Sequence, residues 1–463
     1  MTKAAAPAES AVALYEARQK VYPREITGRF DRLRTLASFV LLGIFYGLPW
    51  LNWNGRQALL FDLPARKFYI FGLTLWPQDF LYLGWLLIMA ALTLFFVTAV
   101  AGRVWCGYAC PQTVWTEAFL GLERLVEGDR PQRLKLDRKP WTREWIAKKS
   151  LKQFLWVSLA AFTGFSFVAF FTPARELGGA LARLELGGWE TFWIVFYGFA
   201  TYGNAGFLRE QVCRYMCPYA RFQSAMFDHD TLIVSYDPSR GEPRGARRKG
   251  VDKRAAGLGD CVDCTICVQV CPTGIDIRKG LQYECIACAA CVDACDDVMQ
   301  RVGYAPGLIR YATEHELQGR TTQYLRPRVL VYGGLLLALA TGFVVSIALR
   351  EPIALDVIRD RNALYRTLSD GSIENVYSLR ILNKDDRAHR YTVDIEPRDL
   401  LTIDTEAATV ASGEVRAIAA RVRVATADKA AAPRVITFII RATDSADLSA
   451  RRESRFIVPE DRQ

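Results

Sequence analysis

Long apolar stretches separated by basic segments, a doubled C-x2-C-x2-C-x3-C run and a C-terminal region of alternating apolar and polar residues predict a protein in three parts. The expected fold class is an α-helical polytopic membrane protein of about five spans, with a two-cluster ferredoxin-like cytoplasmic module and a C-terminal immunoglobulin-like β-sandwich.

The 463 residues leave room for several domains. Hydrophobic residues make up 51% of the chain, with 11 Trp and 25 Phe, yet the net charge is +10. That combination suggests membrane spans with basic cytoplasmic flanks, and charge placed beside apolar segments argues against a nucleic-acid partner. Stretches able to cross a bilayer lie at 36–53, 79–101, 152–172, 189–208 and 329–349. Pro49 softens the limits of the first, and Lys67 to Trp76 reads as a candidate re-entrant segment. No signal peptide is expected, because a polar arm precedes the first apolar run and no small-residue cleavage site follows it.

Basic residues set the expected orientation. Arg18, Lys20, Arg24, Arg29, Arg32 and Arg34 crowd the N-terminal arm, residues 1–35. Segments 102–150 and 209–328 are equally rich, whereas 54–78 and 173–188 are poor. This alternation puts the N-terminus and the doubled cysteine run in the cytoplasm and the C-terminus outside.

The doubled run is Cys261-Val-Asp-Cys264-Thr-Ile-Cys267-Val-Gln-Val-Cys271-Pro272 and Cys285-Ile-Ala-Cys288-Ala-Ala-Cys291-Val-Asp-Ala-Cys295. Such spacing wraps three thiolates around one cubane [4Fe–4S] cluster and sends the fourth to the neighbouring cluster. The expected ligand sets are Cys261, Cys264, Cys267 with Cys295, and Cys285, Cys288, Cys291 with Cys271. Zinc knuckles would use paired CxxC, and a disulfide scaffold would not place all 12 cysteines in metal-type motifs. Single-electron transfer is the chemistry implied.

The other four cysteines form a weak internal repeat. Arg103-Val-Trp-Cys106-Gly-Tyr-Ala-Cys110-Pro111 follows the second apolar stretch, and Arg209-Glu-Gln-Val-Cys213-Arg-Tyr-Met-Cys217-Pro218 follows the fourth. Proline favours the first helical position, so Cys110 and Cys217 are predicted at helix N-termini. There the helix dipole, with Arg103, Arg209, Arg214 and Arg221 nearby, is expected to lower the thiol pKa values. Cys106, Cys110, Cys213 and Cys217 are the candidate catalytic residues and the candidate ligands of Cu(I) or of a further iron–sulfur centre. Met216 is a candidate thioether ligand, although packing is its ordinary role. The histidines, His229, His315 and His389, all lie outside the spans, which argues against a transmembrane haem.

The remaining organisation follows from these landmarks. Residues 36–236 form the membrane domain, and 237–259 a Pro/Gly/Arg linker whose charge reads as a solvated or headgroup-facing surface. Residues 260–312 form the ferredoxin-like module, 313–328 a connector and 329–349 the last span. In 354–463, alternation at 376–381, 391–395, 415–418, 421–424, 435–440 and 455–458 predicts about six or seven short strands of a β-sandwich. We read it as a periplasmic docking domain with His389 on its surface.

The four cysteine motifs, the RGEPRG element from Arg240 to Gly245, CVDACDDVM from Cys291 to Met299, PGLIRY from Pro306 to Tyr311 and the β-domain resemble the FixG/RdxA (CcoG) family of cytochrome c oxidase accessory proteins. The resemblance covers most of the chain. Asp296 stands where general ferredoxin runs have proline, and this agrees with the family. The resemblance implies an inner-membrane cupric reductase that assists assembly of a cbb3-type haem–copper oxidase. It also implies two [4Fe–4S] clusters on the cysteine sets above and copper handling by Cys106, Cys110, Cys213 and Cys217. Expected partners are membrane lipid, a copper-exporting P-type ATPase or copper chaperone, the oxidase assembly machinery and an unidentified cytoplasmic electron donor, with homo-oligomerisation left open. Similarity to the NapH and NosR families, which share the C-x3-C-P pairs, suggests a competing reading as an electron-transfer subunit for quinol or ferredoxin electrons. A non-catalytic assembly scaffold is a third.

Overall fold

The computed structural model describes residues 20–247, 257–350, 352–360, 363–385, 387–445 and 448–459. Most of the expected N-terminal arm and the middle of the basic linker lie outside the described residues. The chain divides into two compact units, Met1–Ala340 and Thr341–Gln463.

Among the described residues, four helices are long and apolar enough to cross a membrane: Arg29–Trp50, Phe80–Ala101, Arg143–Val168 and Pro327–Ala348. The first, α1, begins earlier than its apolar pattern suggests. Its opening N–H groups, those of Phe30 and Asp31, find the Asp293 carboxylate at 3.2 and 2.8 Å, so a distant residue caps the helix. It tightens at Pro49 into a short 3₁₀ turn, Leu48–Trp50. Helix α2 is Phe80–Ala101, followed by the short α3, Val104–Tyr108, and by α4, Pro111–Glu127. Helix α5, Arg143–Val168, starts at Thr142, whose hydroxyl accepts the Trp145 N–H.

The span expected at 189–208 differs. It is a 14-residue helix, α6, Gly188–Thr201, that runs on as π-helix through Tyr202–Leu208. Gly203 and Gly206 weaken the α-helical preference of this stretch, and Gly206 lets the Trp156 ring close in, since a Cβ there would stand 3.1 Å from it. Glycine also brings α5 and α6 together: Gly164 lies against the Ile194 carbonyl, leaving no room for a side chain. The expected re-entrant segment is instead part of an antiparallel meander, Leu59–Asp62, Lys67–Ile70 and Leu73–Leu75.

A buried ionic network binds these elements. Glu123 of α4 pairs with Arg209 at 2.7 Å and Arg133 at 3.5 Å, and Glu127 pairs with Lys149 at 2.9 Å and Lys152 at 3.0 Å. Both carboxylates are 1% exposed, a position tolerable only with cations at hand.

The second unit holds two antiparallel sheets. One orders Leu401–Thr405, Val415–Val424, Ile373–Asn383 and Ile353–Arg359; the other orders Ala408–Val410, His389–Glu396, Val435–Ala442 and Ser449–Arg455. The segments 415–418 and 421–424, expected as two strands, are one, and the last strand ends at Arg455 where the sequence pattern suggested it would begin. Tyr377 and Phe438 from facing sheets meet edge to face at 4.9 Å in a core that also holds Ile381, Val422 and Ile440.

His389 is buried, not on the surface. Its Nδ1 faces Asp444 at 2.8 Å and its Nε2 faces Asp385 at 2.9 Å. Burial opposes the charge on the ring, but two carboxylates outweigh it and raise the imidazole pKa. The resulting stabilisation is complete below the unfolded pKa of ~6.5 and fades as pH rises through the higher folded value. Hydrogen-exchange mass spectrometry of the full-length protein, corrected for intrinsic rates, is expected to show peptide 389–396 losing protection between about pH 6 and pH 9. A His389→Asn variant is expected to show the lower protection at both pH values.

Candidate functional site

The iron–sulfur-type module is closed by a two-stranded ribbon. Ile233–Tyr236 pairs antiparallel with Ile309–Ala312, so the chain enters and leaves at one place. Between them the two cysteine runs repeat one backbone device. Asp263 and Thr265 flank Cys264 in left-handed conformations (φ 53° and 59°), and Ala287 and Ala289 flank Cys288 in the same way (φ 53° and 58°). Such strain in non-glycine residues is tolerated where the surrounding structure demands it, and here it curls each loop so that successive thiols face one centre.

Two cavities result. Cys261, Cys264, Cys267 and Cys295 line one, and Cys271, Cys285, Cys288 and Cys291 line the other, together with Cys267 at its edge. Burial pushes the Cys267 thiol up to about 11 and those of Cys285 and Cys295 up to about 12. Deprotonation in place therefore requires a bound cation. Among the described residues no three His, Cys, Asp or Glu side chains converge tightly enough for a single metal ion. Four soft donors spread around a cavity fit a polynuclear iron–sulfur cluster instead.

The four other thiols are gathered by the ends of the membrane segments. Gly102 (φ 55°) ends α2, and Arg209 (φ 43°) stands at the equivalent turn after the π-helical stretch. Cys106 sits on α3 and Cys213 in a π-helical turn, Val212–Met216. Cys110 and Cys217 occupy the N-cap positions of α4 and of helix α7, Pro218–Met226, each with proline at the first helical position. Cys106 lies within electrostatic reach of Cys110, Cys213 and Cys217, and its Sγ faces Gln223 Oε1 at 3.3 Å.

The expected lowering of the thiol pKa is overturned at Cys106, Cys110 and Cys213. Burial pushes Cys106 and Cys213 up to about 12 and raises Cys110, outweighing the Gln112 and Thr113 N–H groups at its helix start. Arg103 does favour the thiolates of Cys106 and Cys213, but burial outweighs it, and two of the other arginines thought to help are committed elsewhere. Arg209 binds Glu123, and Arg214 binds Glu284 at 3.3 Å; the Arg221 side chain lies outside the described ones. Met216 is 59% exposed rather than packed.

What the sequence did not reveal is how close the two thiol groups come. Gly107, between Cys106 and Tyr108, abuts the second cysteine loop. A Cβ on it would lie 2.8 Å from the Ile286 carbonyl oxygen and 2.9 Å from the Cys288 Cα. The Arg103 guanidinium donates to the Tyr283 and Cys285 carbonyls of that loop and to the Ala220 carbonyl of α7. Alongside lies a cavity of about 40 Å³ whose wall includes both Cys213 and Cys288, with Arg34, Gln112 and Glu117. The described part of the basic linker joins the module too. Arg240 holds Asp260 at 2.6 Å and Arg247 donates to the Asp260 carbonyl at 2.9 Å, so these charges are structural contacts rather than a solvated surface.

Comparison with known proteins agrees with this architecture. Residues 208–314 match the family described as a 4Fe-4S dicluster domain, 83–126 a 4Fe-4S binding domain, and 343–459 the IG-like fold at the C-terminus of FixG. The chain is 39% identical over 407 residues to nitrogen fixation protein FixG of Rhizobium meliloti, covering 80% of this chain and 78% of that protein. It is 43% identical over 399 residues to protein RdxA of Cereibacter sphaeroides (82% and 83% coverage). Protein RdxB of the same organism is 42% identical over 407 residues (85% of each chain). A crystal structure of a FixG-related protein from Vibrio parahaemolyticus aligns with 24% of this chain and 98% of its own, at 28% identity and a TM-score of 0.21. With its membrane-length apolar helices, its dicluster iron–sulfur domain and its immunoglobulin-like C-terminal domain, the chain belongs to the FixG/RdxA family.

Proposed function

We propose that this iron–sulfur membrane protein reduces Cu(II) to Cu(I) at Cys106, Cys110, Cys213 and Cys217, in support of the assembly of a cbb3-type haem–copper oxidase. The observation that carries the reading is the narrow cavity touching both Cys213 and Cys288, beside the Gly107 contact. When loaded, the clusters held by Cys261, Cys264, Cys267 with Cys295 and by Cys285, Cys288, Cys291 with Cys271 supply single electrons. Each Cu(II) needs one. The soft sulfurs favour the Cu(I) product, and each thiol that binds it gives up its proton. The thiol groups sit beside basic segments, which supports a cytoplasmic reaction, a periplasmic sandwich domain and release of Cu(I) to an exporting pump or chaperone.

One feature favours the second reading, with quinol as donor. A cavity of about 300 Å³ beside Trp156, midway along α5, and Phe207, near the end of the π-helical stretch, shares Val21, Arg209 and Glu210 with the thiol cavity. Reduction of the iron–sulfur absorbance by decylubiquinol under anaerobic conditions tests it.

Dithionite-reduced protein mixed anaerobically with stoichiometric Cu(II) is expected to yield Cu(I), read by a specific chelator. The Cys110→Ser, Cys217→Ser variant is expected to lose roughly tenfold or more of this rate while keeping its iron and its visible absorbance. An unchanged rate would sink the assignment. Gly107→Val forces a side chain into the Ile286–Cys288 backbone, so Cu(I) formation should again slow by about tenfold at full iron content. Equal rates in this variant and wild type would mean that the Gly107 contact plays no part.

A further inference from the structure

Arg103 stands apart from the other buried cations. Among the described residues, buried Lys and Arg side chains have carboxylate partners: Arg34 with Asp31 at 2.8 Å, Arg133 with Glu123 at 3.5 Å, Lys152 with Glu127 at 3.0 Å, Arg209 with Glu123 at 2.7 Å and Arg326 with Asp228 at 3.0 Å. Arg103 is 4% exposed and has only carbonyls, those of Tyr283, Cys285 and Ala220. Its Nε is buried with no acceptor. A buried cation without an anion is costly, and carbonyl dipoles offset only part of that cost. The groups its charge does face are sulfurs: Cys106, then Cys285, Cys213 and Cys217.

We propose that Arg103 is the shared countercharge of two thiolate-bound metal centres, the cluster on the Cys285–Cys288 loop and the metal-loaded C-x3-C-P thiols. This rests on the reading of those four thiols as a metal site. A metal held by several thiolates is net negative, and reduction adds one more negative charge. A fixed cation between the centres stabilises both reduced states, raising both reduction potentials. It also keeps the Cys285 loop and α7 in register, so charge and position come from one side chain. Arg103 is thus a positioning residue that sets the driving force between the centres. Arg209, the arginine that opens the other motif, does not share the role because Glu123 neutralises it.

The test is an EPR-monitored redox titration of full-length wild type, Arg103→Lys and Arg103→Gln, with iron assayed in each. Signals are assigned with a Cys264→Ser variant, which alters the cluster that Cys285 does not ligate. In Arg103→Gln the signal of the Cys285 cluster is expected to move to lower potential by about 59 mV, a tenfold change in the one-electron equilibrium. The other signal stays, and Arg103→Lys keeps most of the wild-type value. No shift in an iron-replete Arg103→Gln protein, an equal shift of both signals, or the same shift in Arg103→Lys would overturn the proposal.

Should Arg103→Gln lose its iron, wild type titrated with and without one equivalent of Cu(I) decides. Bound Cu(I) is expected to lower the potential of the Cys285 signal, and bound Cu(I) with no shift would overturn the shared charge. Cu(I) that does not bind at all, by elemental analysis, would overturn the thiol metal site on which the shared charge rests, a result distinct from bound Cu(I) with no shift.

Discussion

A thiolate taken out of water needs a cation close by, and much of the first unit is arranged around that requirement. Its cysteines are mostly buried or half-buried, and burial, aided by neighbouring thiols, raises the pKa of several of them. At the two groups of sulfurs in the iron–sulfur domain, cluster binding and deprotonation are therefore coupled. The backbone prepares for it in advance. Left-handed residues on either side of Cys264 and Cys288 aim the loops inward, and the ribbon of Ile233–Tyr236 with Ile309–Ala312 keeps the module closed.

The membrane segments serve the same end. Two of them stop in tight turns, at Gly102 and Arg209, and deliver cysteines to a common face. Such a face would drift if helices α4 and α5 and the π-helical stretch could slide past one another. Glu123 and Glu127 prevent it by holding cations from several segments, at distances that leave little freedom. Pairing inside a low-dielectric region is weak as net stabilisation but strict about geometry, because breaking one partner strands the other. Asp293 extends the same logic to the iron–sulfur module by capping the first membrane helix.

The two C-x3-C-P motifs are alike in sequence but not in structure. After α2 the chain forms an ordinary α-helical turn, and Arg103 turns toward sulfur. After the π-helical stretch the turn is again π-helical, and Arg209 turns toward Glu123. One half of the repeat thus meets the second cysteine loop, while the other anchors the helices. This asymmetry sets Gly107, beside Cys106, directly against the second cysteine loop.

Sequence alone determined the cysteine groups, the proline-started helices at Cys110 and Cys217, most of the membrane-length helices and the β-rich C-terminal unit. Each of these rests on local spacing or periodicity, which a single chain displays without its fold. Only the tertiary structure decided that 67–76 is a sheet, that 189–208 changes to π-helix and that His389 is buried between two aspartates. The pKa reversal at Cys106, Cys110 and Cys213 belongs with these. Motif reasoning counted the helix ends and arginines near each thiol, but it could not count the water removed or know that Arg209 and Arg214 had carboxylates of their own. Gly107 and Arg103 were equally silent, since one glycine and one arginine in a motif acquire meaning only when a loop some 180 residues away in the chain settles against them. Desolvation and long-range contact are properties of the packed molecule, and no local pattern encodes them.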